Sequence, residues 1–147
     1  MKWILTLVMF LKLSLAFSQA GYDSILAAKL GADSYGMKNY VMAFLKRGPK
    51  RNQTAEEAKQ LQAAHMANIQ KMAKEGKLVL AGPFMDDQEV RGIYIFDVRT
   101  IEEAKVLTES DPAVQAGRLM MELHPWYGSA ALMMVNEWHG KISQEQP

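Results

Sequence analysis

The chain's three histidines and a few well-spaced carboxylates are the side chains most able to do chemistry. His65 lies four residues after Leu61 and four before Ile69, so on a helix the three share one face. Imidazole titrates near neutrality and acts as a general base when a neighbouring group fixes its tautomer. A histidine on a core-facing stripe also serves simply to satisfy a buried hydrogen bond, and from spacing alone both readings stand. Asp111 precedes Pro112, a pairing that initiates turns by bonding its own backbone. Glu122 and His124 are two apart and therefore share a strand face, with Trp126 and Tyr127 following. These four are candidate binding residues at a pocket mouth, or equally the end of a strand. His139 falls in a polar stretch and reads as solvated.

Other chemistries find little support. The histidines at 65, 124 and 139 lack short metal-ligand spacing, and Glu122 with His124 would need a third ligand from the fold. No metal site is expected. The eleven methionines, with pairs at Met120-Met121 and Met133-Met134, suit copper(I) in an exported protein or the filling of an irregular core, and the second is preferred. No phosphate loop, dinucleotide fingerprint or serine elbow occurs, so no cofactor is expected. The absence of cysteine excludes disulfides, thiolate zinc sites, cysteine nucleophiles and a lipid anchor on an N-terminal cysteine.

These residues sit in a chain of 147, a length that suits one domain, with ordinary apolar and charged fractions. The formal net charge is +1. Residues 1–20 carry Lys2 and Lys12 and no acid, and without them it becomes −1. Nothing there favours nucleic acid or an anionic membrane as a partner. The first twenty residues read as a secretory signal: Lys2, an apolar run from Trp3 to Leu11 that resumes after Lys12 as far as Phe17, then small residues suiting cleavage before Gln19 or Gly21. A spanning helix needs roughly 20 apolar residues, and this run is shorter and interrupted, so no stable membrane anchor is expected. The mature protein is expected to be exported, periplasmic or extracellular.

Within the rest, residues 21–36 read as an N-terminal helical segment ending at Gly31. Tyr40 to Leu45 is a strand closed by Gly48-Pro49, and the basic residues beside that turn read as a solvated loop. Thr54 and Glu57 form a capping box for a long helix that Gly76 closes. Leu78 to Ala81 and Gly92 to Val98 are strands, Thr100 and Glu103 a second capping box, and Arg118 to His124 a fourth strand. The class is α+β and the order β-α-β-β-α-β, a ferredoxin-like sandwich spanning 37–138. Tyr127 to Trp138 adds a strand or covers an edge, and 139–147 is expected to be a flexible tail. Both faces of the first and third strands are apolar, and two helices cover one. A second copy in a homodimer is the simplest cover for the other, the chain's own Tyr127 to Trp138 the alternative.

The segments YVMAFL, QAAHMANIQKMAKEGKL, LAGPF, RGIYIFDV and DPAVQAG, in this order and spacing, resemble the YCII-related family from about Lys38 to Gly128. The resemblance implies a dimeric α/β-barrel type of ferredoxin-like domain, here with an extra N-terminal helix and a C-terminal extension. It also implies a site pairing a histidine of the first helix with an aspartate before the last strand, which match His65 and Asp111. Two functions follow as expectations. One is a cofactor-free enzyme on a small organic molecule with a His-Asp acid/base pair; the other is a non-catalytic domain that binds a small ligand or a partner.

Overall fold

The computed structural model describes residues 21–145; the expected signal, residues 1–20, lies outside them. The elements are α1 (Ser24–Leu30), β1 (Met37–Arg47), α2 (Ala55–Lys74), β2 (Leu78–Pro83), β3 (Val90–Phe96), α3 (Ile101–Glu109), α4 (Pro112–Gln115), β4 (Leu119–Ser129), a 3-10 helix (Ala130–Met134) and α5 (Val135–Ile142). The four strands form one antiparallel sheet in the order β2-β3-β1-β4. With α2 and α3 as the crossovers, this is the ferredoxin-like arrangement.

Local chemistry sets the long elements. Thr54 and Glu57 close the full capping box at the start of α2, with Lys71 and Lys74 in its last turn. At α3 the box is displaced by one residue: Thr100 accepts from the Glu103 amide, but the Glu103 carboxylate accepts from the Arg99 amide. β4 runs beyond the expected His124 because it pairs with β1 from Met37↔Ser129 to Arg47↔Leu119. Pro125 is tolerated there because β4 lies at the sheet edge.

Strand alternation splits the core in two. Val41, Ala43, Leu45, Tyr94 and Phe96 face the helices and pack with Met72 and Ala104. Tyr40, Val79 and Ile95 face the other way and pack with Met42, Leu80 and Trp126, under Leu132 and Met133 of the 3-10 helix. The chain's own C-terminal segment therefore covers part of the second face. The Asn136 amide of α5 also donates to the Leu78 carbonyl at 2.8 Å. Further along that face Phe44 and Ile93 stay half-buried, and Met120 is exposed.

Two local readings change. α1, expected here as a short helix docked on the main body, is capped by the Asp23 side chain and the left-handed Gly31 and lies against the 3-10 helix without burying any of its own residues. Residues 139–142 belong to α5, not to a flexible tail. Lys141 pairs with Glu137 at 2.6 Å and its ammonium lies 4.6 Å from the Trp138 ring centre, so the last turn is held by its own side chains. Among the described residues no helix is long and apolar enough to cross a membrane.

Candidate functional site

His65 projects from the middle of α2 toward the sheet, and Asp111 occupies the turn between α3 and α4; they are 7% and 0% exposed. The Nδ1 of His65 lies 2.7 Å from Oδ2 of Asp111. The other oxygen, Oδ1, accepts from the Ala113 amide at 2.8 Å, which makes Asp111 the cap of α4, with Pro112 at its first position. The local Asp-Pro turn and the contact with His65 are thus made by one carboxylate.

An ionised carboxylate only accepts hydrogen bonds, so in the neutral ring Nδ1 carries the proton and Nε2 presents a lone pair. The Tyr94 hydroxyl stands 3.3 Å from Nε2, and in that form of the ring it donates to it. Tyr94 reaches this position because it alternates with Phe96 on the helix-facing side of β3. Its ring lies nearly parallel to the imidazole, with centres 6.3 Å apart, and edge-on to Phe96. Burial, and secondarily the charge of Asp111, pushes the phenol far above its usual range, so it stays a donor. Among the described residues no buried side-chain nitrogen or oxygen lacks a partner.

The imidazole keeps 9% of its side-chain exposure. Just N-terminal to it on α2, a cleft of about 450 Å³ runs toward α4, lined by Gln53, Gln60, Leu61, Ala64 and Ala116 among others. Side chains on a helix lean toward its N-terminus, so His65 leans toward this cleft without lining it.

The other candidate residues lie elsewhere. Met121 and Leu123 face the helices, and the pleat therefore turns Glu122 and His124 to the opposite side of the sheet. There His124 Nε2 meets Glu122 Oε1 at 2.8 Å, Lys46 pairs with Glu122, and Phe44 packs edge-on to the imidazole. Hydrogen bonds from Lys46 and then His124 hold the Glu122 carboxyl below its usual range. Trp126 packs on Tyr40 with ring centres 5.8 Å apart. The Tyr127 hydroxyl donates to Asp33. None of these four reaches the His65–Asp111 pair, so they do not form a pocket mouth around it. Tyr94, in contrast, was not singled out from the sequence: the period-two pattern of RGIYIF groups it with Phe96 on one face without saying which face α2 covers. Among the described residues no three acidic or histidine side chains could hold a metal ion together.

A profile of the YCII-related domain matches residues 41–126. No curated protein matches. Among solved structures, the chain is similar to a 5-chloro-2-hydroxyhydroquinone dehydrochlorinase (TftG) from Burkholderia phenoliruptrix AC1100, in complex with 2,5-dihydroxybenzoquinone. The identity is 20%, the match covers 58% of this chain and 92% of that one, and the TM-score is 0.43. The matched span takes in more than half of the sequence, including His65, Tyr94 and Asp111, and the chain belongs to the YCII-related family.

Proposed function

We propose that the protein is a cofactor-free enzyme that moves a proton on a small organic molecule, with His65 as acid/base and Asp111 as its orienter. The observation that carries this is the 2.7 Å bond between two buried side chains, one of which keeps an exposed edge. Asp111 fixes the Nδ1–H tautomer and leaves Nε2 basic. At 3.3 Å the Tyr94 hydroxyl holds that lone pair only loosely, and it gives way to a substrate proton or passes one along. Abstraction of a proton beside a carbonyl, or loss of a leaving group, suits such a group. The cleft between α2 and α4 is the approach.

The proposal carries two settings from the sequence: export after removal of residues 1–20, and a homodimer through the part of the second sheet face around Phe44 and Ile93 that the C-terminal segment leaves uncovered.

The test is a ligand-stabilisation screen on the purified protein, followed by turnover assays on the hits, since a bound ligand raises stability by mass action. A compound that is turned over by the wild type and bound but not turned over by His65→Gln supports the enzyme. The second reading is a binding domain in which the pair is structural. It is favoured by the complete satisfaction of the His65–Asp111–Tyr94 network and by the cleft's being lined by other residues. Hits that bind but are never converted would leave that reading standing, whereas conversion unaffected by His65→Gln would remove His65 from the chemistry.

A further inference from the structure

A larger cleft, of about 720 Å³, opens at the other end of α3 from Asp111. Its walls join two parts of the chain. Gly31, Asp33, Met37, Lys38, Asn39 and Tyr127 lie outside the family-matched span, whereas Lys77, Asp97, Val98, Arg99 and Glu103 lie within it. The N-terminal segment and the end of β4 thus complete a cavity that residues 41–126 alone do not enclose.

The charges in this cleft are unevenly engaged. Asp33 accepts from the amides of Tyr35 and Met37 and from the Tyr127 hydroxyl, and the last of these contributes most to holding its carboxyl below the usual range. Asp97 is paired with Lys38 at 2.8 Å. Glu103 accepts from the Arg99 amide at 3.0 Å. By contrast, the ammonium of Lys77, the guanidinium of Arg99 and the amide of Asn39 have no side-chain partner among the described residues. An incoming molecule therefore meets acids already hydrogen-bonded and donors that are not.

We infer that this cleft binds a small organic carboxylate, through the planar fork of Arg99 with Lys77 and Asn39 beside it. A guanidinium matches the two oxygens of a carboxylate. Lys38 is engaged by Asp97, which leaves Lys77 and Arg99 as the open cations beside acids that are already hydrogen-bonded or paired, so the site takes one negative charge better than several. Met37, Val98 and the Tyr127 ring supply apolar surface for an organic body, which a bare inorganic anion would not use.

The experiment titrates benzoate, with inorganic phosphate in parallel, against isotope-labelled protein purified from expression of the full chain. Saturable benzoate shifts at Asn39, Val98 and Arg99 are expected. Arg99→Ala should weaken them at least about tenfold, the scale of one lost charge-assisted bond, and Lys77→Ala with Arg99→Ala should abolish them. Both side chains are exposed, so the variants should fold as the wild type does. Shifts that never saturate, shifts centred on His65, tighter binding of phosphate than of benzoate, or unchanged binding in the double variant would each overturn the inference.

Discussion

His65 and Asp111 meet at 2.7 Å although 46 residues separate them in the chain. One oxygen of the aspartate orients the imidazole and the other caps α4. Asp111→Asn can keep the cap but sets an amide N–H against Nδ1–H, which forces the ring into its other tautomer and leaves the buried Tyr94 hydroxyl proton without its acceptor. Its expected cost is about 1 to 3 kcal/mol, that of an unsatisfied buried partner. Asp111→Ala also loses the cap, for about 1 kcal/mol more. Denaturant unfolding gives both values, and nitrogen chemical shifts of the ring give the tautomer. An Nε2–H ring in the wild type, or variants as stable as the parent, would show that the pair does not hold the turn to α2.

Tyr94 supplies a pH signature. Its folded phenol is raised above the unfolded value of about 10, so its contribution to stability is complete below pH 10 and is lost as the pH rises beyond it. Alkaline unfolding should therefore be less steep in Tyr94→Phe than in the wild type. At neutral pH the same variant should lose about 0.5 to 1.5 kcal/mol, the net worth of one hydrogen bond. Ultraviolet titration in which Tyr94 ionises near pH 10 while the protein stays folded would contradict the buried donor.

Gly48 tests the join between β1 and the turn before β4. A Cβ there would come within 2.2 Å of the Gly117 carbonyl oxygen and 2.6 Å of the Arg118 carbonyl carbon, both backbone atoms with little room to move. The Gly48 amide also donates to the Arg118 carbonyl at 2.8 Å. Gly48→Ala should destabilise by about 1 to 3 kcal/mol, in the range of overpacked cores. Gly140→Ala, with nothing within 4 Å, is the clash-free control, and inside α5 it should stabilise by about 0.5 to 1 kcal/mol. Equal melting temperatures for the two would be incompatible with this packing.

The C-terminal cover can be removed. Ending the chain at Ser129 strips Leu132 and Met133 from Tyr40, Val79 and Ile95. Val79 and Ile95 each stand to lose about 1.5 to 3 kcal/mol of burial. Light scattering of the full chain at micromolar concentration should report a dimer, and the shortened chain should form larger, ill-defined species. A monomeric full chain would rule out the dimer. A shortened chain as stable and as small as its parent would show that the segment covers nothing of consequence.

Much of this architecture is written locally. Thr54 and Glu57 mark the start of α2 because the capping box needs only residues three apart. The alternation of YVMAFL and RGIYIF marks two-faced strands. The pairing of His65 with Asp111 was legible through the family pattern, because no local rule joins residues so distant. The third partner, Tyr94, depends on which strand face α2 covers; for Glu122 and His124 spacing likewise gives the shared face, which their 2.8 Å contact bears out, but not which face it is. The helical state of residues 139–142 rests on Lys141 reaching Glu137 and Trp138, contacts too weak to stand out in a short polar stretch.

The Asn136 bond to the Leu78 carbonyl has a consequence at the border of the sheet. β2 and β4 are its two outer strands, and each could in principle recruit a strand from another molecule. Asn136 occupies an acceptor on β2, so a docking strand would first have to evict α5. On β4 the proline at 125 has no N–H to offer, which interrupts the ladder a newcomer would need. Continuous strand-by-strand polymerisation is thereby discouraged at both margins, one through a side-chain amide contributed from afar and the other through a missing proton in the strand itself.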